Sequence, residues 1–112
     1  MKCLSVRQPW ASMIARGEKT IEVRTWSTTY RGPLVICVSK SPRISYLPVG
    51  VALVVVDLID VRPITQDDAA AACCVVDSSK EFAWILSSPC ILSEPIPVSG
   101  RLGIFECAIA TD

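Results

Sequence analysis

Histidine is absent from all 112 residues. That removes any Ser-His-Asp or Cys-His nucleophile and takes away the imidazole ligands that many zinc sites use. Proton chemistry, if the chain performs any, must come from Lys, Glu, Asp, Cys or Tyr. The six cysteines, Cys3, Cys37, Cys73, Cys74, Cys90 and Cys107, include no C-x-x-C pair. Most lie inside apolar stretches, as small buried hydrophobes do. Neither a Walker loop nor G-x-G-x-x-G is present, so triphosphate and dinucleotide binding are unsupported. No metal and no cofactor is expected. No apolar run reaches the ~18 residues of a membrane span. The ten-residue "GVALVVVDLI" is broken by Asp57 and suits a buried strand. The opening "MKCLSVRQPW" lacks the long apolar core of a secretion signal. The expectation is a cytoplasmic protein with no membrane partner.

Net charge is also missing, with eleven basic and eleven acidic side chains. The balance hides an asymmetry. Residues 1–43 hold eight basic and two acidic residues, +6, and the rest hold three and nine, −6. A zero total argues against nonspecific nucleic-acid binding, but a local basic surface keeps a nucleic-acid partner open. Apolar residues make up 51% of the chain, which excludes disorder and provides for one core. A single domain over 1–112 follows.

Along the chain, residues 2–6 read as a short strand. "QPWASMIARG" reads as a helix with Pro9 in its first turn, an apolar stripe of Trp10, Met13 and Ile14, and a stop at Gly17. "KTIEVRTW" leaves it as a strand, "STTYRGP" is turn chemistry, and "LVICVS" is a buried strand. "KSPRISYLPVG" is a loop. "VGVALVVVDLIDV" is the longest strand candidate. In "TQDDAAAACCVV" Thr65 and Asp68 have the spacing of a capping box before a short helix, and the small residues of "AAAACC" suit packing. "EFAWILS" is a strand, with Trp84 in the core, and "SPCILSEPIP" is extended. "PVSGRLGIF" is a tight turn feeding the closing strand in "RLGIFECAIA". The pattern is α+β, a small mixed β-barrel capped by short helices.

The strand "KTIEVRTW" carries the chemistry. Side chains alternate, so Thr20, Glu22, Arg24 and Trp26 share one face, with Lys19 leaning over it from the helix end. A solvated face with surface ion pairs is one reading, though such pairs contribute only about 0–1 kcal/mol. The other is the wall of a cleft. Aromatic and basic residues also interleave: Trp10 follows Arg7 and Gln8, Trp26 follows Arg24, and Tyr30 precedes Arg31. An exposed aromatic can stack a base for about 1–3 kcal/mol while nearby cations hold phosphate. Trp10 also fits the core stripe of its helix, and Trp26 and Tyr30 fit either role.

The run "LSVRQPWASMIARGEKTIEVRTWSTTYRGPLVICVSK" resembles the ASCH domain family, named for activating signal cointegrator homology and related to the PUA superfamily. "RQPWA", "G-x-K-T-I-E-x-R" with its following Trp, and "YRGPLVI" carry the resemblance. "LPVGVALVVVDLIDV", "FAWILSSP" and "PIPVSGRLGIFE" extend it to Glu106. The resemblance implies a PUA-like barrel with a charged ligand cleft between barrel and helices. Arg7, Gln8 and Trp10 would stand at the helix entrance, and Lys19, Glu22 and Arg24 on the signature strand. It also implies RNA or a modified nucleoside as partner. Arg24, Arg31 and Lys40 would meet phosphate, Trp26 or Tyr30 would stack a base, and Gln8 and Glu22 would read its edge. Some relatives are small amidohydrolases acting on acetylated cytidine. The lysine matching Lys19 is catalytic in them, so Lys19 as base or carbonyl polariser and Glu22 as orienter of water form the alternative reading. The chain departs from those enzymes at Glu22, where they carry threonine, and from many relatives at Cys37, where they carry histidine. A protein-interaction or coregulator module, with Tyr46 and Leu47 in an apolar patch, is a third possibility. Nothing in the sequence sets the oligomeric state.

Overall fold

The computed structural model describes residues 1–109. The elements are β1 (Lys2–Val6), α1 (Trp10–Ala15), β2 (Ile21–Arg24), β3 (Gly32–Val38), β4 (Val51–Pro63), α2 (Ala69–Ala72), β5 (Phe82–Pro97) and β6 (Ile104–Glu106). A 3-10 turn over Gln66–Asp68 leads directly into α2. The strands form one six-stranded sheet in the order β2-β5-β4-β3-β1-β6. β1 and β3 run parallel, and every other neighbouring pair is antiparallel.

The sheet curls into a half-barrel and realises the small mixed α+β fold expected from the sequence. Its curl has a local cause. Along β4 the register with β5 shifts between Ala52 and Val54, between Val55 and Asp57, and between Leu58 and Asp60. Each such irregularity bends its strand and increases the twist. Although "VALVVV" reads as uniformly apolar, burial alternates along it. Ala52, Val54, Val56 and Leu58 point into the core, and Val51, Leu53 and Val55 are only partly covered. Along most of β4 one face is therefore buried more fully than the other.

"EFAWILS" and "SPCILSEPIP" are one continuous strand, β5, in which Ser88 takes a positive φ of 53°. β2 pairs only with Phe82–Ile85. Beyond that point one edge of β5 is open, so Pro89 and Pro95 remove no N–H that the β2 ladder needs. Trp84 is fully buried, as expected.

The helices are shorter than their patterns suggest. α1 buries Ala11, Ile14 and Ala15, while Met13 is only partly covered and Trp10 lies on the flank. Pro9 caps the helix rather than opening it. The 3-10 turn before α2 carries the capping box read from the sequence. The Thr65 N–H donates to Asp68 Oδ2 at 2.8 Å, the reach-back half of the box, and the Asp68 N–H closes the turn on the Thr65 carbonyl at 3.0 Å. Among the described residues no helix is long and apolar enough to cross a membrane. All six cysteines are free; Cys3 and Cys37 are buried, but Cys90 is exposed despite its apolar neighbours.

Candidate functional site

An open sheet leaves two edges, and here those edges face a cleft of about 780 Å³. One wall is β2 and its continuation, Glu22 to Trp26. The opposite wall is the end of β1, Ser5 and Val6, continuing into Arg7 and Trp10. Cys74 and Val75 after α2, and the Arg101–Gly103 turn before β6, close the rim. β6 pairs with β1 only through Lys2, Cys3 and Leu4, so the Ser5 carbonyl is left free of that ladder. Arg24 Nη2 reaches across and donates to it at 2.7 Å. Where a closed barrel would have a strand ladder, this fold has a guanidinium.

The same guanidinium organises the floor. Arg24 Nη2 and Nε donate to Glu22 Oε2 at 2.8 and 3.1 Å. The other carboxylate oxygen of Glu22 lies 3.7 Å from Lys19 Nζ. Lys19 is 2% exposed and Glu22 7%, so the pair is buried. Burial of charge on this scale is tolerated only with partners on every side. Lys19 finds its second partner in the Ala72 carbonyl, to which it donates. The Thr20 N–H donates to the Ala71 carbonyl at 3.1 Å. These carbonyls end α2 and have no acceptor role within so short a helix. Lys19 therefore ties α1, α2 and β2 together at one point. Enclosed in this way, the charged groups of "KTIEVRTW" form a cleft floor and not a solvated face.

Trp26 forms part of the wall by leaning edge-on against Trp84, with ring centroids 4.8 Å apart at an interplanar angle of 80°. The Trp84 indole N–H donates to the Trp26 carbonyl at 3.2 Å and fixes that backbone. Arg7 and Arg101 line the cleft, and their side chains make no hydrogen bond or ion pair among the described residues. Val75 and Leu102, 95% and 100% exposed, stand on the rim as bare apolar side chains.

Of the residues named from the sequence, the fold gathers Arg7, Trp10, Lys19, Glu22, Arg24 and Trp26 around this cleft. Lys40 lines an adjoining hollow of about 440 Å³ that shares Ser5, Ser39, Arg101 and Leu102 with it. Gln8, Tyr30 and Arg31 are placed elsewhere, with their hydrogen-bonding groups engaged within the fold. Gln8 is buried; it accepts the Ser12 N–H at 3.0 Å and donates to Ser12 Oγ at 2.8 Å and to the Pro48 carbonyl at 2.9 Å. It serves the first turn of α1. Tyr30 donates its hydroxyl to the Pro33 carbonyl, over Gly32. Arg31 donates to the carbonyls of Thr28 and Tyr30, both at 2.8 Å.

The sequence reading took "PVSGRLGIF" as a tight turn and did not place Arg101 or Leu102 in the site. A signal was available, because two glycines bracket them. A Cβ on Gly100 would stand 2.8 Å from Ser5 Oγ, so any larger residue there would make the Ser5 hydroxyl turn aside. Gly103 takes a φ of +69°. Cys37 is buried away from the cleft, and burial pushes its thiol up to about 12. It is poorly suited to act as a nucleophile.

A profile of the ASCH domain matches residues 4–96. The chain belongs to the ASCH domain family. This ASCH domain is 31% identical, over a 126-residue alignment, to Activating signal cointegrator 1 of Homo sapiens and equally to that of Mus musculus. Each alignment covers 93% of this chain but only 22% of the relative, so the domain spans about a fifth of those proteins. Among solved structures, ASCH from Zymomonas mobilis superposes with a TM-score of 0.67 at 16% identity, covering 86% of this chain and 72% of the other. A variant of that bacterial protein gives 0.64 at 15% identity, over 86% and 74%. At such identities the likeness is one of fold.

Proposed function

We propose that this ASCH domain binds single-stranded RNA, or a modified nucleoside within it, in the cleft at the open edge of its half-barrel. One observation carries the reading. The cleft sets aromatic side chains and unpaired cations around a floor whose hydrogen-bonding groups are already held in place. Trp10 and Trp26 offer faces for an unstacked base, and Val75 and Leu102 offer apolar cover at the rim. Arg7, Arg101 and, in the adjoining hollow, Lys40 have no anion to neutralise among the described residues and are available to phosphate. The Glu22 carboxylate, held in place by Arg24 and Lys19, offers an acceptor to a base edge, the kind of contact by which single-stranded RNA is read.

The test is titration of short single-stranded RNA at several salt concentrations, followed by tryptophan fluorescence. Affinity should fall as salt rises, with a log–log slope of about −0.7 for each phosphate contact. Arg101→Ala should make that slope shallower by about 0.7. Absence of binding at low salt, or binding indifferent to salt, would exclude the proposal.

A second reading, an amidohydrolase acting on an acylated nucleoside such as acetylated cytidine, draws on the buried Lys19–Glu22 pair. A lysine beside a carboxylate at a cleft floor can polarise a carbonyl or position water. Incubation with acetylated cytidine, alongside Lys19→Ala, separates the two. Equal rates for both proteins, or none, would leave the cleft as a recognition surface. The name of the animal relatives suggests a cointegrator role, and Tyr46 is 91% exposed. Leu47 beside it is half-buried, so that surface offers a single exposed ring where the coregulator reading needs a broad patch.

A further inference from the structure

On the half-barrel, away from the cleft, three thiols from separate parts of the chain meet. Cys3 lies on β1, Cys37 on β3 and Cys107 just beyond β6. Their sulfurs all lie within 4.8 Å of one another. Cys3 and Cys37 are buried among Val35, Ala52, Phe105 and Ile109, while Cys107 is half-buried and opens the cluster to solvent. The profile match covers 4–96, which leaves Cys3 and Cys107 outside it.

The donor set is all sulfur and three in number, which selects a soft ion of low coordination number. Charge narrows the choice. Three thiolates around a monovalent or divalent ion would leave a net negative charge among apolar walls, an expensive placement. The N-terminal ammonium beside Cys107 is already engaged and does not offset it. It donates to the Cys107 carbonyl at 2.7 Å and is paired with Glu106 at 3.3 Å. A trivalent centre bound to three thiolates is neutral. We propose that Cys3, Cys37 and Cys107 form a binding site for a trivalent thiophilic centre of the arsenic(III) class, held as a neutral tris-thiolate. The step balances without a redox partner. Arsenous acid loses three As–O bonds and three S–H bonds break. Three As–S bonds form, three waters leave, and arsenic stays trivalent. Metal–sulfur bonds of ~2.3 Å, as for zinc, would bring the sulfurs to about 4 Å or less from one another. Cys107, the least buried of the three and outside any strand, is the residue placed to close that gap by a side-chain rotation.

The experiment uses the whole chain, reduced with a phosphine so that no competing dithiol is present, and arsenite as probe. Native mass spectrometry should show one arsenic gained and three hydrogens lost. Bound arsenite should protect Cys107 from alkylation and leave Cys90 reactive. The neighbouring Cys73 and Cys74 are the competing pair. Cys107→Ser should abolish binding, and the double variant C73S/C74S should retain it. No adduct on the wild-type protein overturns the proposal. So does an adduct that survives Cys107→Ser, or protection that falls on Cys73 and Cys74. The alkylation map is read on the wild-type chain, so the test stands even if Cys107→Ser fails to fold.

Discussion

At the scale of single residues, the buried floor of the cleft is a chain of charges in which each partner depends on the next. Arg24 holds Glu22, Glu22 faces Lys19, and Lys19 holds the end of α2. Lys19→Met keeps the volume but leaves the Ala72 carbonyl without its donor and Glu22 with one cation instead of two. The expected loss is roughly 1–3 kcal/mol, the cost of an unsatisfied buried polar group, read from urea unfolding. This part of the site was visible in advance, because strand alternation places Glu22 and Arg24 on one face whatever the fold. The partner of Lys19 was not visible. It is a backbone carbonyl 53 positions away, brought there by the packing of α2, and backbone groups leave no mark on sequence. Gln8, Tyr30 and Arg31 show the converse. Their side chains look like ligand groups in sequence, but a helix start and a turn beside them need the same donors and acceptors.

At the scale of elements, short pieces depend on their ends. The Arg62 guanidinium, donating to both carboxylate oxygens of Asp68 at 2.8 Å, holds the Asp68 carboxyl well below the usual carboxylate range, and the Thr65 N–H adds to the effect. A carboxyl depressed in the folded state stabilises the fold at pH values above its ordinary value of 3.8. That contribution fades as pH falls from there toward the lower folded value. Asp68→Asn should therefore lower the melting temperature near neutrality, and the gap from wild type should narrow in thermal scans run below that pH. The Arg101–Gly103 turn depends on its conformation instead. Nothing lies within 4 Å of a Cβ at Gly103, so Gly103→Ala meets only the strain of φ +69°, about 1–2 kcal/mol. Chemical denaturation checks that figure. Strand identities were readable from β-branched runs and alternation, and the capping box from its spacing. The joining of "EFAWILS" and "SPCILSEPIP" into one strand was not readable, because prolines report only that an edge is free. The irregularities of β4 were hidden for a related reason: in a run of apolar residues so rich in valine every register looks alike.

At the scale of the whole molecule, the +6 and −6 halves of the sequence do not stay apart. Lys2 pairs with Glu106 at 2.7 Å, and Arg31 lies 3.6 Å from Asp60. After such pairing, Arg7, Lys40, Arg43 and Arg101 remain as cations without partners among the described residues. Three of these four line the cleft or the hollow beside it. The asymmetry of the sequence thus survives as a local surplus, although its position could not be read from a linear count. Stability should also be unevenly spread. β3 and β4, paired on both sides, should be the slowest to exchange their amide hydrogens, and the Arg101–Gly103 turn among the fastest. Hydrogen exchange followed by mass spectrometry measures both. The open edge has a mechanical consequence. The two walls of the cleft are joined the long way round, through the ladders of β5, β4, β3 and β1, at the back by the short connection through α1, and across the open edge by the side chain of Arg24. The sheet thus has the form of a leaf spring with the cleft between its tips, and the bends in β4 are the places expected to flex. A molecule gripping both walls would load that spring, so its binding should slow amide exchange around Val54–Leu58, on the far side of the sheet from anything it touches.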